Sequence, residues 1–261
     1  MKNKHGYPQA VVRAIENDPY TRGDSEFSAT SLIEPPRKQA LREKFKKEVE
    51  EEVDVDDRIF ILYGQLGHLL LERAGRGLGK SHVVEERFFG EIDGVKISAQ
   101  IDSLDLEEDG TLVDYKFTTV YGFHKHDKRG KEIKPKSDWI KQMNIQLELL
   151  RQNGLDPKRL KIWGMLRDWR PAEWRKDPGI YPLKLGFHDI PMAPRERTRV
   201  YISKQISAHR LAKKELPLCS DEDRWATKYD AFNRCHSYCE VNKFCTQYKE
   251  KIRVTELCKE G

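Results

Sequence analysis

"VDYKFTT", residues 113–119, decides how this chain is read. It is a hydrophobic, strand-like run that carries an acid, an aromatic and a lysine in succession. Strand side chains repeat every two residues, so Asp114 and Lys116 project to the same side. Such a pair is either an ordinary surface ion pair, worth little, or half of a metal-dependent site. The surrounding segments have to decide.

Upstream, "HVVEERFFGEI" (82–92) reads as a strand, "DG" at 93–94 as a tight turn, and "VKISAQIDSLDL" (95–106) as the returning strand. A second turn, "EEDG", leads into "TLVDYKFTT". Downstream, "SDWIKQMNIQLELLRQNG" is an amphipathic helix stopped by Gly154. "RLKIWGMLRDW" is a further strand. A strand around "LKLGFHDIPM" and a basic helix, "RERTRVYISKQISAHRLAKK", follow. Before the first strand, "DRIFILYGQLGHLLLERAG" reads as a buried helix ending at Gly75 and Gly77. "KFKKEVEEEVDVDD" is a charge run, a solvated helix or linker. "FSATSLIEPPRKQALREKF" offers Ser28 or Thr30 as an N-cap before a turn broken by Pro35 and Pro36. The order is α-β-β-β-α-β, an α/β core with helices on a central sheet. The expected domains are a poorly ordered start at 1–27, a core at 28–215 and a cysteine-rich tail at 216–261.

The 261 residues are 38% hydrophobic and 35% charged, with a net charge of +5. The chain can build a core, and composition alone does not demand nucleic acid. No apolar run approaches the roughly 18–20 residues that span a bilayer. "MKNKHGYPQAVV" lacks the apolar stretch of a signal peptide. The expectation is a cytoplasmic protein with no membrane partner.

Asp102 ends "AQID" twelve residues before Asp114. A hairpin with that spacing can bring the end of one strand beside the middle of the next. Two carboxylates aimed at one point suit a hard divalent cation. A lysine beside them can orient a water and offset charge on a phosphate. His68, on the preceding helix, could add a nitrogen ligand. Glu72 lies one turn after His68, available for a second metal or for an ion pair with Arg73 or Arg76.

The ordered set "GQLGHLLLE", "AQIDSLD", "VDYKFTT" and "QMNIQLELL" resembles the PD-(D/E)XK nuclease superfamily, in its RecB-like branch. That resemblance implies a restriction-endonuclease-like fold on a mixed sheet. It makes His68, Asp102 and Asp114 ligands of Mg2+ or Mn2+, with the Tyr115 carbonyl as a backbone ligand. Lys116 would be the catalytic lysine and Gln142 the motif glutamine. Gln146 stands where the family has a tyrosine, and the family's G-x-x-D is here Ala99-Gln100-Ile101-Asp102.

All five cysteines lie from Cys219 onward, which in a reducing compartment points to a metal site rather than disulfides. The tail resembles that of AddB-type and CRISPR-adaptation iron–sulphur exonucleases. By that resemblance Cys219, Cys235, Cys239 and Cys245 hold a [4Fe-4S] cluster, with zinc as the alternative. Cys258 is the reserve ligand, and His236 a nitrogen ligand if the metal is zinc. The first gap of the trio is one residue longer than the family's. The family's upstream cysteine has no counterpart in "SLIEPPRKQAL".

The basic loop "GFHKHDKRGKEIKPK" and the interleaved Trp163, Trp169, Trp174 and Arg167, Arg170, Arg175 suggest backbone tracking and base stacking with low sequence specificity. The expected function is a metal-dependent DNA nuclease, an exonuclease on DNA ends or single strands. The setting would be recombination, repair or phage DNA metabolism, with a recombinase, annealing or CRISPR/repair partner. The alternative is a catalytically silent DNA- or protein-binding module with the same fold.

Overall fold

The computed structural model describes residues 1–17, 21–107, 110–123 and 134–257, the side chains of 253–257 aside. In chain order its first elements are α1 (Gln9–Glu16), β1 (Phe27–Ser28), α2 (Ala29–Ile33), α3 (Pro36–Lys44) and α4 (Lys46–Glu52). Next come α5 (Val55–Gly75), β2 (His82–Ile92), β3 (Val95–Asp105), β4 (Thr111–Thr118) and α6 (Ser137–Gln152). The last are β5 (Arg159–Leu166), α7 (Pro171–Lys176), β6 (Leu185–Asp189), α8 (Arg195–Ala212), α9 (Asn233–Ser237) and α10 (Thr246–Leu257). The residues divide into two compact units. One holds 20–30 and 60–202. The other holds 1–19, 31–59 and 203–261.

The first unit is α/β, built on a mixed six-stranded sheet. β2 and β3 form a long hairpin in which Ile92 pairs with Val95. Asp93 and Gly94 between them have φ of 53° and 71°, as a two-residue turn between twisted strands requires. The other edge of β3 is shared. It pairs antiparallel with β4 at residues 103–105 and parallel with β1 at 97–98. β4 then runs parallel to β5, and β5 antiparallel to β6. A parallel pair needs a crossover connection, and α6 lies on it. Trp139, Met143, Leu147 and Leu150 follow helical spacing and bury one stripe of α6 against Leu112, Leu160 and Ile162. Gly154, at φ 79°, follows the helix end.

Phe117, of opposite parity to Asp114 and Lys116 on β4, meets α5. A Cβ built on Gly67 would lie 1.8 Å from Phe117 Cζ, so only glycine lets the helix approach this closely. Gly67→Ala is therefore expected to destabilise the protein by about 1–3 kcal/mol through overpacking. That exceeds the ~1 kcal/mol that alanine gains over glycine in a helix. Urea unfolding of Gly67→Ala, Phe117→Leu and the double variant checks this. The double variant should recover most of the loss.

Three expectations need correction. α5 is not a buried helix: Phe60, Tyr63, Leu66, Leu69 and Leu70 are all more than half exposed. Its apolar face is broader than the Gly67–Phe117 contact needs. The start of the chain is not structureless, because α1 buries Val12 and Ile15 and Phe27 is fully buried in β1. Amphipathic spacing over eight residues carried that helix, while the polar composition around it concealed it. The boundaries expected at 27/28 and 215/216 also fall elsewhere, since 31–59 share a unit with 203–261. The short helical turn expected after Ser28 is α2, which ends at Ile33 before Pro35 and Pro36, and Pro36 then opens α3 at its first position. Among the described residues no helix is long and apolar enough to cross a membrane.

Candidate metal centre

The site forms where β3 and β4 part. Their pairing ends at Ser103 opposite Val113. Beyond that point the Tyr115 N–H donates to Asp102 Oδ2 at 2.6 Å. The Asp102 carboxylate thus occupies the gap between the strands. Asp114 and Lys116 share the β4 face turned toward α6. Lys116 Nζ lies 2.6 Å from Asp114 Oδ2. Gln142 Nε2 donates to Asp114 Oδ1 at 2.7 Å, and Lys116 Nζ is 3.5 Å from Gln142 Oε1. His68 reaches in from α5, with Nδ1 3.7 Å from Asp102 Oδ2. The residues His68, Asp102, Asp114, Tyr115, Lys116 and Gln142 are therefore brought together, although they span four elements.

Sequence reasoning missed one member. Glu85 on β2 places Oε1 3.1 Å from His68 Nδ1, and its Oε2 accepts from Gln100 Nε2 at 2.7 Å. His68, Glu85 and Asp102 offer ligand atoms within 4.8 Å of one another. Glu85 has φ 48°, uncommon for a residue with a side chain. The β2–β3 ladder is registered on both sides of it, at Val84 and Glu86, but not at Glu85 itself. The strand alternation of "HVVEERFF" gave no hint of this local twist.

The charges are unbalanced toward the anionic. Burial pushes the Asp102 carboxyl up to about 7, and the neighbouring Asp114 charge adds to it. His68, Lys116 and the Tyr115 N–H oppose the rise. For Lys116, burial alone would lower the pKa, but Asp114 and then Asp102 raise it above the ordinary lysine value. The Glu85 hydrogen bond raises His68 against the effect of burial. Asp114 is 2% exposed, and its Oδ2 is buried without hydrogen-bond geometry to any described residue. The imidazole of His68 and the carboxylates of Glu85 and Asp102 make a donor set that fits a hard or borderline divalent cation, with Asp114 and the Lys116 ammonium beside it.

Glu72 takes the blander of its two readings: its Oε1 pairs with Arg76 Nη2 at 2.5 Å. Gln146 is buried and donates to the Gln100 carbonyl at 3.3 Å. The tryptophans are packed rather than displayed. Trp163 lies against Phe187, Trp169 donates to the Pro182 carbonyl and joins the core, and Trp174 Nε1 is buried. Positive charge on α8 is partly spent inside the unit, because Arg195 and Arg199 both bind the buried Glu148 carboxylate. Most of the basic loop falls on residues 124–133, outside the described residues.

In the other unit, Cys219, Cys235, Cys239 and Cys245 are free thiols. Burial pushes Cys219 up to about 12, with further contributions from Asp223 and from each of the other three cysteines. Burial, then Cys239 and Cys245, push Cys235 up to about 11. Burial raises Cys239 also. Burial and the neighbouring thiols thus disfavour ionisation, and among the described residues no three of these sulphurs lie within 4.8 Å of one another. Gln247 holds the Cys219 backbone through two hydrogen bonds, 2.9 and 3.0 Å. Where an upstream cysteine was sought, the structure has Arg37. It is buried, and its Nε donates to Cys245 Sγ at 3.2 Å. His236 is engaged by the Tyr248 hydroxyl at 2.6 Å. Cys258 lies outside the described residues.

No family model matches the chain, and no curated protein does. Among solved structures, the crystal structure of the archaeal protein SSO0001 is similar. The TM-score is 0.57, over 91% of this chain and 94% of that one. The sequences are 14% identical, so the likeness is one of fold alone.

Proposed function

We propose that this protein is a divalent-metal-dependent deoxyribonuclease of the RecB-like kind, acting on DNA ends or single strands. The observation that carries the reading is the Asp114–Lys116 pair, 2.6 Å apart, with Asp114 almost fully buried and two further carboxylates and a histidine beside it. A surface ion pair has no need of such company. Asp102, Asp114 and His68 would hold Mg2+ or Mn2+, with Glu85 beside His68 and the Tyr115 carbonyl as a further ligand. When bound, the ion would lower the pKa of a coordinated water and offset phosphate charge.

The chain's own groups would do the rest. Lys116 would orient the attacking water and neutralise the developing phosphorane charge. Gln142 would fix the Asp114 carboxylate so that Lys116 meets one defined oxygen. The Tyr115 N–H would hold Asp102 in line with the parting of the strands. Glu85 would set the ring plane of His68, as carboxylates do for metal-binding histidines. Cys219, Cys235, Cys239 and Cys245 would hold a [4Fe-4S] cluster, or zinc, as a clamp within the unit that holds 31–59 and 203–261. A brown, anaerobically purified protein with broad visible absorbance supports iron–sulphur, and a colourless zinc protein overturns it.

The deciding experiment incubates the anaerobically purified protein with end-labelled single- and double-stranded DNA, in Mn2+ or in EDTA. Cleavage only with the metal is the expected result. DNA binding without cleavage in any metal would sink the nuclease reading and leave a binding module of the same fold. A recombinase, annealing or CRISPR/repair partner belongs to the same proposal and would be sought by co-purification.

A further inference from the structure

α6 carries a second site on its far side. At a hundred degrees per residue, Ser137, Ile140, Lys141 and Asn144 cluster roughly 150° around the helix from Gln142. They border a half-open cavity of about 380 Å³, lined on its other side by the segment 191–194 and the first turns of α8. Ile140, Met192, Pro194 and the Tyr201 ring give it an apolar floor, while Lys141 and Arg197 stand on its border. No lining residue is acidic. The cavity is a built feature. Buried Asn144 donates to the Pro191 and Ile140 carbonyls at 3.0 and 2.8 Å, and the Ala193 N–H donates to Asn144 Oδ1 at 2.7 Å. This one side chain clips the extended segment onto α6 and keeps the pocket open.

We infer that this cavity docks an acidic peptide segment of a partner protein, anchored by one large apolar side chain. The volume sits in the range of ligand pockets and suits a phenyl or branched apolar group. An apolar floor gives such a group its burial energy and rejects a phosphate. The two cations at the border then favour carboxylates next to the anchor, and carboxylate neighbours set orientation and encounter rate. Because the pocket faces away from Gln142, an occupied pocket leaves the Asp114 site open. The inference does not depend on the cleavage reading.

The test uses the full chain and a fluorescein-labelled peptide of several acidic residues ending in phenylalanine with a free carboxylate. Fluorescence anisotropy should give a Kd on the order of 10 µM at low salt. The same peptide ending in alanine should bind about tenfold more weakly, for loss of the anchor. Arg197→Glu, at an exposed position, should weaken binding about tenfold, and Ala193→Trp should abolish it by filling the cavity. Circular dichroism melting of Arg197→Glu should match wild type, which separates lost binding from lost folding. Indifference of binding to both the terminal phenylalanine and Arg197 would overturn the inference. So would absence of binding at millimolar peptide. Displacement of the peptide by single-stranded DNA, with DNA affinity itself dependent on Arg197, would reassign the pocket to nucleic acid and also overturn it.

Discussion

Lys116→Ala is expected to lower metal-dependent DNA cleavage by about a thousandfold, the loss typical of removing one preorganised stabiliser of transition-state charge. DNA affinity should stay near wild type, because backbone contacts elsewhere supply it. The same substitution should act on stability. Lys116 faces Asp114 at 2.6 Å, and the Asp102 carboxyl stands nearby with its pKa pushed up to about 7. Removing one partner of a buried ion pair leaves an uncompensated charge, at a cost of about 3–5 kcal/mol. Mn2+ should return part of that loss by binding the freed carboxylates. The variant should therefore gain more thermal stability from Mn2+ than wild type does. Lys161→Ala is the control, since Lys161 pairs at 3.7 Å with the exposed Asp189 and lies over the Phe187 ring, away from the carboxylate cluster. Equal cleavage rates for wild type and Lys116→Ala would return Asp114 and Lys116 to an ordinary ion pair.

What the sequence disclosed was the periodic part of the molecule. The hairpin at Asp93–Gly94, the strand holding Asp114 and the helix holding Gln142 all have local signatures, and the structure has them where those signatures stand. The same periodicity put Asp114 and Lys116 on one face. Glu85 escaped because its role depends on a positive φ inside a strand, and alternation of residue types carries no record of that. Arg37 escaped for a different reason. It lies in a polar helix far in sequence from Cys245, and only tertiary packing aims its guanidinium at the thiol. The exposure of α5 shows the limit of composition. Leu66, Leu69 and Leu70 read as core residues, and the sheet takes only the narrow stripe around Gly67.

A pH dependence is expected from the unit that holds 31–59 and 203–261, and it is large. Glu34 sits among Lys38, at 2.9 Å, and Arg42, which forks onto both its oxygens at 2.8 Å. Glu240 shares both cations, and its carboxyl is held below the ordinary value by Lys38 and Arg42 against the effect of burial. Burial by itself would raise the Glu34 carboxyl, but Arg42 and Lys38 overcome it and hold the group at about 2. The ordinary value is 4.5. A carboxyl with a depressed folded pKa stabilises the native state fully above its unfolded value, and that contribution is lost as pH falls through the folded one. Glu34 should thus contribute about 2–3 kcal/mol at neutral pH, after allowance for screening of the partly exposed Arg42. The contribution should decline from pH 4.5 toward pH 2. Glu34→Gln removes the titrating group, so its unfolding free energy should lie below wild type at pH 7 and converge with it at the acid end. Urea unfolding of both proteins across that interval measures the difference directly. A constant gap from pH 7 to pH 3 would mean that Glu34 stabilises through packing rather than charge. The stake is the tail itself, because Glu240 directly follows Cys239, and the network that anchors Glu240 therefore fixes one of the four described thiols.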